Sequence, residues 1–253
     1  MTFTFEVLLL LFTIIPSVLI SILSYRKFTK EKGSYINTFR PFQFIWAKAF
    51  FYMSASFILT LLYIITFEHV KDFSQYPLLR FDFVVAIKIF ETFSIFEFLK
   101  IGYHINYSRQ GKKYIDKEKQ FALDIISVSI FSLAPFFIIL NNYDDFFSIN
   151  SQLLQSQVTG YKYFDAIIIA VHIAAFYFIV KEIGINDKQK HFQAIVVKQN
   201  SIFALFQKIL QLANIMFFNY TILIFVYIEW IPTLFSVWVI FYKMYRESID
   251  EKY

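Results

Sequence analysis

The chain has 253 residues, 58% of them hydrophobic and 22% aromatic, with 35 Phe and 17 Tyr. A soluble domain of this length has too little interior to hide so much apolar surface, so the composition points to an all-helical, polytopic membrane protein. The absence of cysteine excludes disulfides, thiolate metal sites and iron–sulfur ligation, and a net charge of +5 spread over short loops gives nucleic-acid binding no support.

Seven windows are long and apolar enough to cross a hydrocarbon core about 30 Å thick. They cover about 5–25, 43–67, 81–105, 121–141, 164–182, 201–227 and 230–246. Polar segments separate them, and with no internal repeat or low-complexity linker the whole of 1–253 reads as one transmembrane domain. The first window, "FEVLLLLFTIIPSVLISILSY", lacks a basic start and a small-residue cleavage site, so a retained helix is expected rather than a signal peptide.

The third window carries Lys88, Glu91, Glu97 and Lys100. A charge at the bilayer centre costs roughly 2.5–3.5 kcal/mol, so these four need partners. Lys88–Glu91 and Glu97–Lys100 are both i,i+3 pairs and so share a helix face. Both pairs are expected to turn toward neighbouring helices or the aqueous ends. Lys100 is near enough to the basic end to snorkel. Lys88 and Glu91 lie deeper and are the candidates for a proton path, since intramembrane acid–base pairs build such relays. The competing expectation for them is a purely structural pair.

Asp124 and Asp165 fall near span ends, where a carboxylate caps a helix or reaches water. His172 is mid-span in "AIIIAVHIAAF"; a hydrogen-bonded core histidine is expected there, because no second suitably placed histidine offers a haem ligand pair. In the sixth window Asn214 and Asn219 are expected to hydrogen-bond across helices, and Lys208 to snorkel toward the basic side. The last two windows are separated only by "IEWIP", which places Pro232 in the first turn of the final helix.

Lysine and arginine set the orientation. Arg26, Lys27, Lys30, Lys32 and Arg40 follow the first span, and Arg109, Lys112, Lys113, Lys117 and Lys119 follow the third. Lys181, Lys188, Lys190 and Lys198 surround the end of the fifth, and Lys243, Arg246 and Lys252 close the chain. The other face carries only Lys71, Arg80 and Lys162. The N-terminus is therefore expected outside and the C-terminus on the cytoplasmic or matrix side. The basic loops are also candidate docking surfaces for other subunits or for anionic lipid such as cardiolipin.

Several stretches resemble one family, NADH dehydrogenase subunit 1, the quinone-site membrane subunit of respiratory complex I. "IIPSVLISILSYRK" is similar to the end of that family's first helix, with Tyr25 in place of its Glu before Arg26 and Lys27. "RPFQFIWAKAF", with Arg40, Pro41, Phe42 and Lys48, resembles its next segment. "SIFALFQKILQLANIMFFNYTILIF" resembles a later helix through Phe203, Ala204, Leu205, Phe206, Ala213, Asn214 and Ile215. The similarity is in order along nearly the whole chain. Departures include Gln211 for a family Glu, and a short basic loop after the fifth span that retains only Glu182 and Asp187 of an acidic signature; an eighth helix has no counterpart.

The resemblance implies a multi-pass subunit of the mitochondrial inner membrane, beside a quinone chamber and at the start of a proton path. A composition rich in Phe, Ile, Tyr, Lys and Asn agrees with an AT-rich, for example mitochondrial, genome. Arg26, Lys27 and Arg40 would line the matrix entrance, Asp124 and Glu182 would carry protons, and ubiquinone would bind at an interface, with no covalent cofactor. The alternatives are an accessory membrane subunit of a respiratory complex without chemistry of its own, and an independent seven-helix transporter or receptor. Against a retinal protein stands Lys243 at a helix end rather than mid-span; against a transporter stands the scarcity of glycine. No nucleophile triad, phosphate loop or metal-ligand spacing occurs in the sequence.

Overall fold

A computed structural model describes residues 3–30, 40–66, 77–109, 122, 124–126, 129, 159–183, 192–218 and 224–250. These residues are helical, in six long helices: α1 (Phe3–Lys30), α2 (Arg40–Ile64), α3 (Pro77–Arg109), α4 (Thr159–Ile183), α5 (Phe192–Phe218) and α6 (Ile224–Asp250). Residues 122, 124–126 and 129 of the expected fourth span are helical too; the remainder of that span lies outside the described residues, as does Asn219.

The boundary between the last two helices differs from the expected one. Ile224–Asp250 is one helix, so "IEWIP" lies inside α6 and Pro232 is not in its first turn. Residues 219–223 lie outside the described residues.

Each helix packs on its neighbour in the sequence, and α6 packs back on α1, which closes the six into a ring. The α2–α3 seam is aromatic: the Phe98 ring meets Trp46 and Phe50 edge-on, at 6.0 and 5.5 Å between centroids. Serine hydroxyls bring backbones together across these seams. Ser21 donates to the Ala47 carbonyl and Ser94 to the Ala49 carbonyl, both at 2.9 Å. On α3, Gly102 lies so close to α4 that a Cβ there would stand 3.5 Å from the Ile179 Cα.

The closing seam follows from a proline. Pro16 has no N–H, so the Phe12 carbonyl, four residues back, loses its intrahelical donor. The indole Nε1 of Trp238 on α6 donates to that carbonyl at 3.0 Å. Further along, Ser24 Oγ reaches Met244 Sδ at 3.9 Å.

Helix direction can be read from such pairs. Along α2 and α3 the partners run in opposite senses, from Lys48–Glu97 to Ser56–Ile87. Along α3 and α4 they run in the same sense, from Thr92–His172 to Gly102–Ile179. Phe12–Trp238 and Ser24–Met244 make α1 and α6 parallel as well. The ring therefore has two parallel seams.

Beside an apolar core that includes Trp46, Phe50, Ile101 and Ile168, the interior holds polar side chains while much apolar surface is exposed. Leu8, Leu11, Phe12, Ile15, Leu19 and Ile22 form an exposed apolar stripe on α1, and Phe206 and Phe217 on α5 are 60% and 80% exposed. Lys100, Glu97, His172, Lys208, Gln207 and Asn214 are buried. Two described stretches, Val7–Lys30 and Gln43–Ile64, are long and apolar enough to cross a membrane.

Candidate functional site

The interior charges gather on α3 in two clusters. In the first, Glu97 Oε1 accepts from Lys48 of α2 and from Lys100, each at 2.9 Å. Lys100 also donates to Asp124 Oδ1 at 2.5 Å. The expected Glu97–Lys100 pair is therefore present, but Lys100 does not snorkel. It is 1% exposed, because two carboxylates hold its ammonium inside. Asp124 supplies the outer end, with 57% of its side chain exposed. The second carboxylate oxygen of Glu97 is buried without a hydrogen-bond partner.

The second cluster is centred on Glu91, one and a half turns earlier. Its Oε1 accepts from Lys208 of α5 at 2.6 Å, and Lys88 stands 3.6 Å from its Oε2, the expected i,i+3 pair. Lys208 thus turns inward to Glu91 rather than snorkelling, and it is buried. His172 Nδ1 is 3.6 Å from Glu91 Oε1, while Nε2 shares a hydrogen bond of 2.9 Å with Thr92 Oγ1. His172 is the hydrogen-bonded core histidine that its place in the sequence suggested. Thr92 is fixed in turn by donating to the Lys88 carbonyl one helical turn back.

Glu91, Lys88 and Lys208 line a chamber of about 310 Å³ bounded by α2, α3, α4, α5 and α6. Its walls are mixed. Phe50, Phe57, Phe98, Phe176 and Ile240 are apolar; Asn200, Ser94, Gln207 and Thr233 are polar. Ser236 donates to Asn200 Oδ1 at 2.7 Å, which orients that amide on α5. Gln207 is 5% exposed and its Nε2 has no hydrogen-bond partner.

The candidates taken from the sequence are therefore dispersed. Lys88 and Glu91 face the chamber, and Asp124 joins the Glu97 cluster. Arg26, exposed, and Lys27, half-buried, lie near the end of α1 and are not among the chamber residues. Glu182, half-buried near the end of α4, is not among them either. Arg40 opens α2, and its side chain lies outside the described residues, as does that of Asp165.

Sequence reasoning passed over Gln207, Asn200, Thr92 and Lys48 as site residues. A signal for α5 was present, since Asn200, Gln207, Lys208 and Gln211 recur at helical spacing in an otherwise apolar stretch and so share one face. Among the described residues no group of three His, Asp or Glu side chains is placed to hold a metal ion. No protein-family model, curated protein or solved structure matches the chain.

Proposed function

We propose that the chain is a polytopic membrane subunit of a respiratory complex, in which the acid–base groups of α3 carry protons past a central chamber. The observation that carries this reading is the alignment of two carboxylate–lysine clusters on one helix. One reaches an exposed carboxylate at Asp124 and the other opens on the chamber. Charges are costly inside a bilayer, and relays of acids and bases are among the tasks for which they are kept there. Glu91 and Glu97 are six residues apart, about 9 Å along a helix axis.

A seven-span arrangement fits the helix directions. Two parallel neighbours joined by one connection need that connection to cross back, which the apolar window at 121–141 is long enough to do between α3 and α4. The parallel pairing of α1 with α6 then sets the start of the first span and the end of the last on opposite faces, in agreement with the lysine and arginine distribution. The apolar exterior of α1 and α5 suits lipid or neighbouring subunits. The resemblance to NADH dehydrogenase subunit 1 supplies the respiratory setting and the inner mitochondrial membrane. Asp124, which that resemblance marks as an acid of the proton path, is a member of the α3 clusters.

The test is proton flux into liposomes holding the purified full chain, driven by a potassium-diffusion potential and read with an entrapped pH dye. Flux above that of empty vesicles, lowered at least about tenfold in both Glu91→Gln and Glu97→Gln, is expected for essential relay groups. Flux equal to that of empty vesicles, or unchanged in the variants, removes the proton path and leaves an accessory subunit. Native-gel separation of solubilised membranes, with mass spectrometry locating the chain, tests the respiratory setting. Migration as a small free oligomer would overturn it.

A further inference from the structure

The chamber wall keeps a buried hydrogen-bond donor that the protein does not use. Gln207 Nε2 is buried, unpartnered and part of the chamber wall. Leaving such an amide donor unmet costs about 1–3 kcal/mol, so its retention points to a partner that comes from outside. The Asn200 carboxamide oxygen is occupied by Ser236, which leaves its NH₂ end as a donor on the same helix face. Lys88 adds an ammonium to the same wall. A ligand that suits these groups brings acceptor oxygens, and with Lys88 and Lys208 against the one carboxylate of Glu91 the chamber's charged side chains favour a charged acceptor over a neutral one.

The rest of the wall fixes the other half of the ligand. Phe50, Phe57, Phe98, Phe176 and Ile240 offer aromatic and aliphatic faces with no polar atoms. A volume of about 310 Å³ is at the small end of ligand pockets, which run to roughly 300–1,000 Å³, and excludes a lipid with two acyl chains. We infer that the chamber binds a small single-chain amphiphile, with a carboxylate head held by Gln207, Asn200 and Lys88 and an apolar tail laid against the phenylalanines. The inference rests on the chamber of the reading above, but not on proton movement through it.

The experiment uses the full chain in nanodiscs, with radiolabelled decanoate as probe and empty nanodiscs as the partition background. Saturable binding of one decanoate per chain is expected, displaced by unlabelled decanoate but poorly by decanol. Gln207→Leu weakens it about tenfold or more, the loss of a hydrogen bond to a charged group. Ala204→Phe, which fills the chamber from its α5 wall, abolishes it, whereas Ala204→Ser does not. Non-saturable uptake equal to the background, equal displacement by decanol, or unchanged affinity in both Gln207→Leu and Ala204→Phe would overturn the inference. Monodisperse elution of each variant separates lost binding from lost folding. Binding without proton flux would leave the site standing and the relay refuted; flux without binding would do the reverse.

Discussion

Each of the two charge clusters on α3 is centred on a glutamate that meets two lysines, yet their surroundings differ. Around Glu97, two lysines meet one carboxylate oxygen at hydrogen-bond distance, and Lys100 is almost wholly enclosed. Around Glu91, Lys208 is close but Lys88 is 3.6 Å away, and the carboxylate is about a quarter exposed to the chamber. The first arrangement fixes α2 and α3 to the segment that holds Asp124. The second holds α3 to α5 while leaving an acid and a base accessible to whatever occupies the cavity. A glutamate that meets two lysines therefore gives a clamp in one place and an adaptable site in the other, and access to solvent-sized space decides which.

The comparison breaks most decisively at Glu97. Glu97→Leu leaves the buried ammonium of Lys100 with Asp124 alone and takes the carboxylate from Lys48, and removal of one partner from a buried ion pair costs about 3–5 kcal/mol. Thermal unfolding in detergent should show this as the largest loss of the series. Adding Lys100→Met should recover much of it, because apolar replacement of a whole buried pair is close to neutral; a double variant no more stable than the single one would mean that Glu97 acts by some route other than charge pairing.

A smaller loss, about 1–3 kcal/mol, is expected for Thr92→Val, which keeps the side-chain shape but deprives the His172 ring of its 2.9 Å partner. Its readout is the same unfolding curve, and an unchanged midpoint would mean the histidine finds another partner. Smallest is Lys88→Met, at under about 1 kcal/mol, since the pair is long and partly solvated while Glu91 keeps Lys208. A loss as large as that of Glu97→Leu would erase the distinction between clamp and adaptable site.

How far these features could be read in advance depended on their range along the chain. The pairs Lys88–Glu91 and Glu97–Lys100 were legible, because three residues on a helix is a fixed angle and a fixed rise. Lys208–Glu91, 117 positions apart, and Lys48–Glu97, 49 apart, were not, because no local rule says which helices become neighbours. That is also why Lys100 and Lys208 were expected to snorkel: position along a helix gives depth but not facing, and facing decides whether a lysine meets water or a carboxylate. The helix break after α5 was misplaced for a different reason. "IEWIP" carries the strong punctuation of proline and glutamate, yet proline was absorbed within α6.

The Pro16–Trp238 contact also bears on biosynthesis. The Phe12 carbonyl is exposed by a residue near the beginning of the chain and covered by one some 220 positions later. During synthesis the Phe12 carbonyl therefore lacks its Trp238 donor until α6 has been made. The wall of the chamber is likewise incomplete until then, since Val237 and Ile240 of α6 form part of it. Docking of α6 on α1 is thus the step that both supplies that donor and completes the cavity wall.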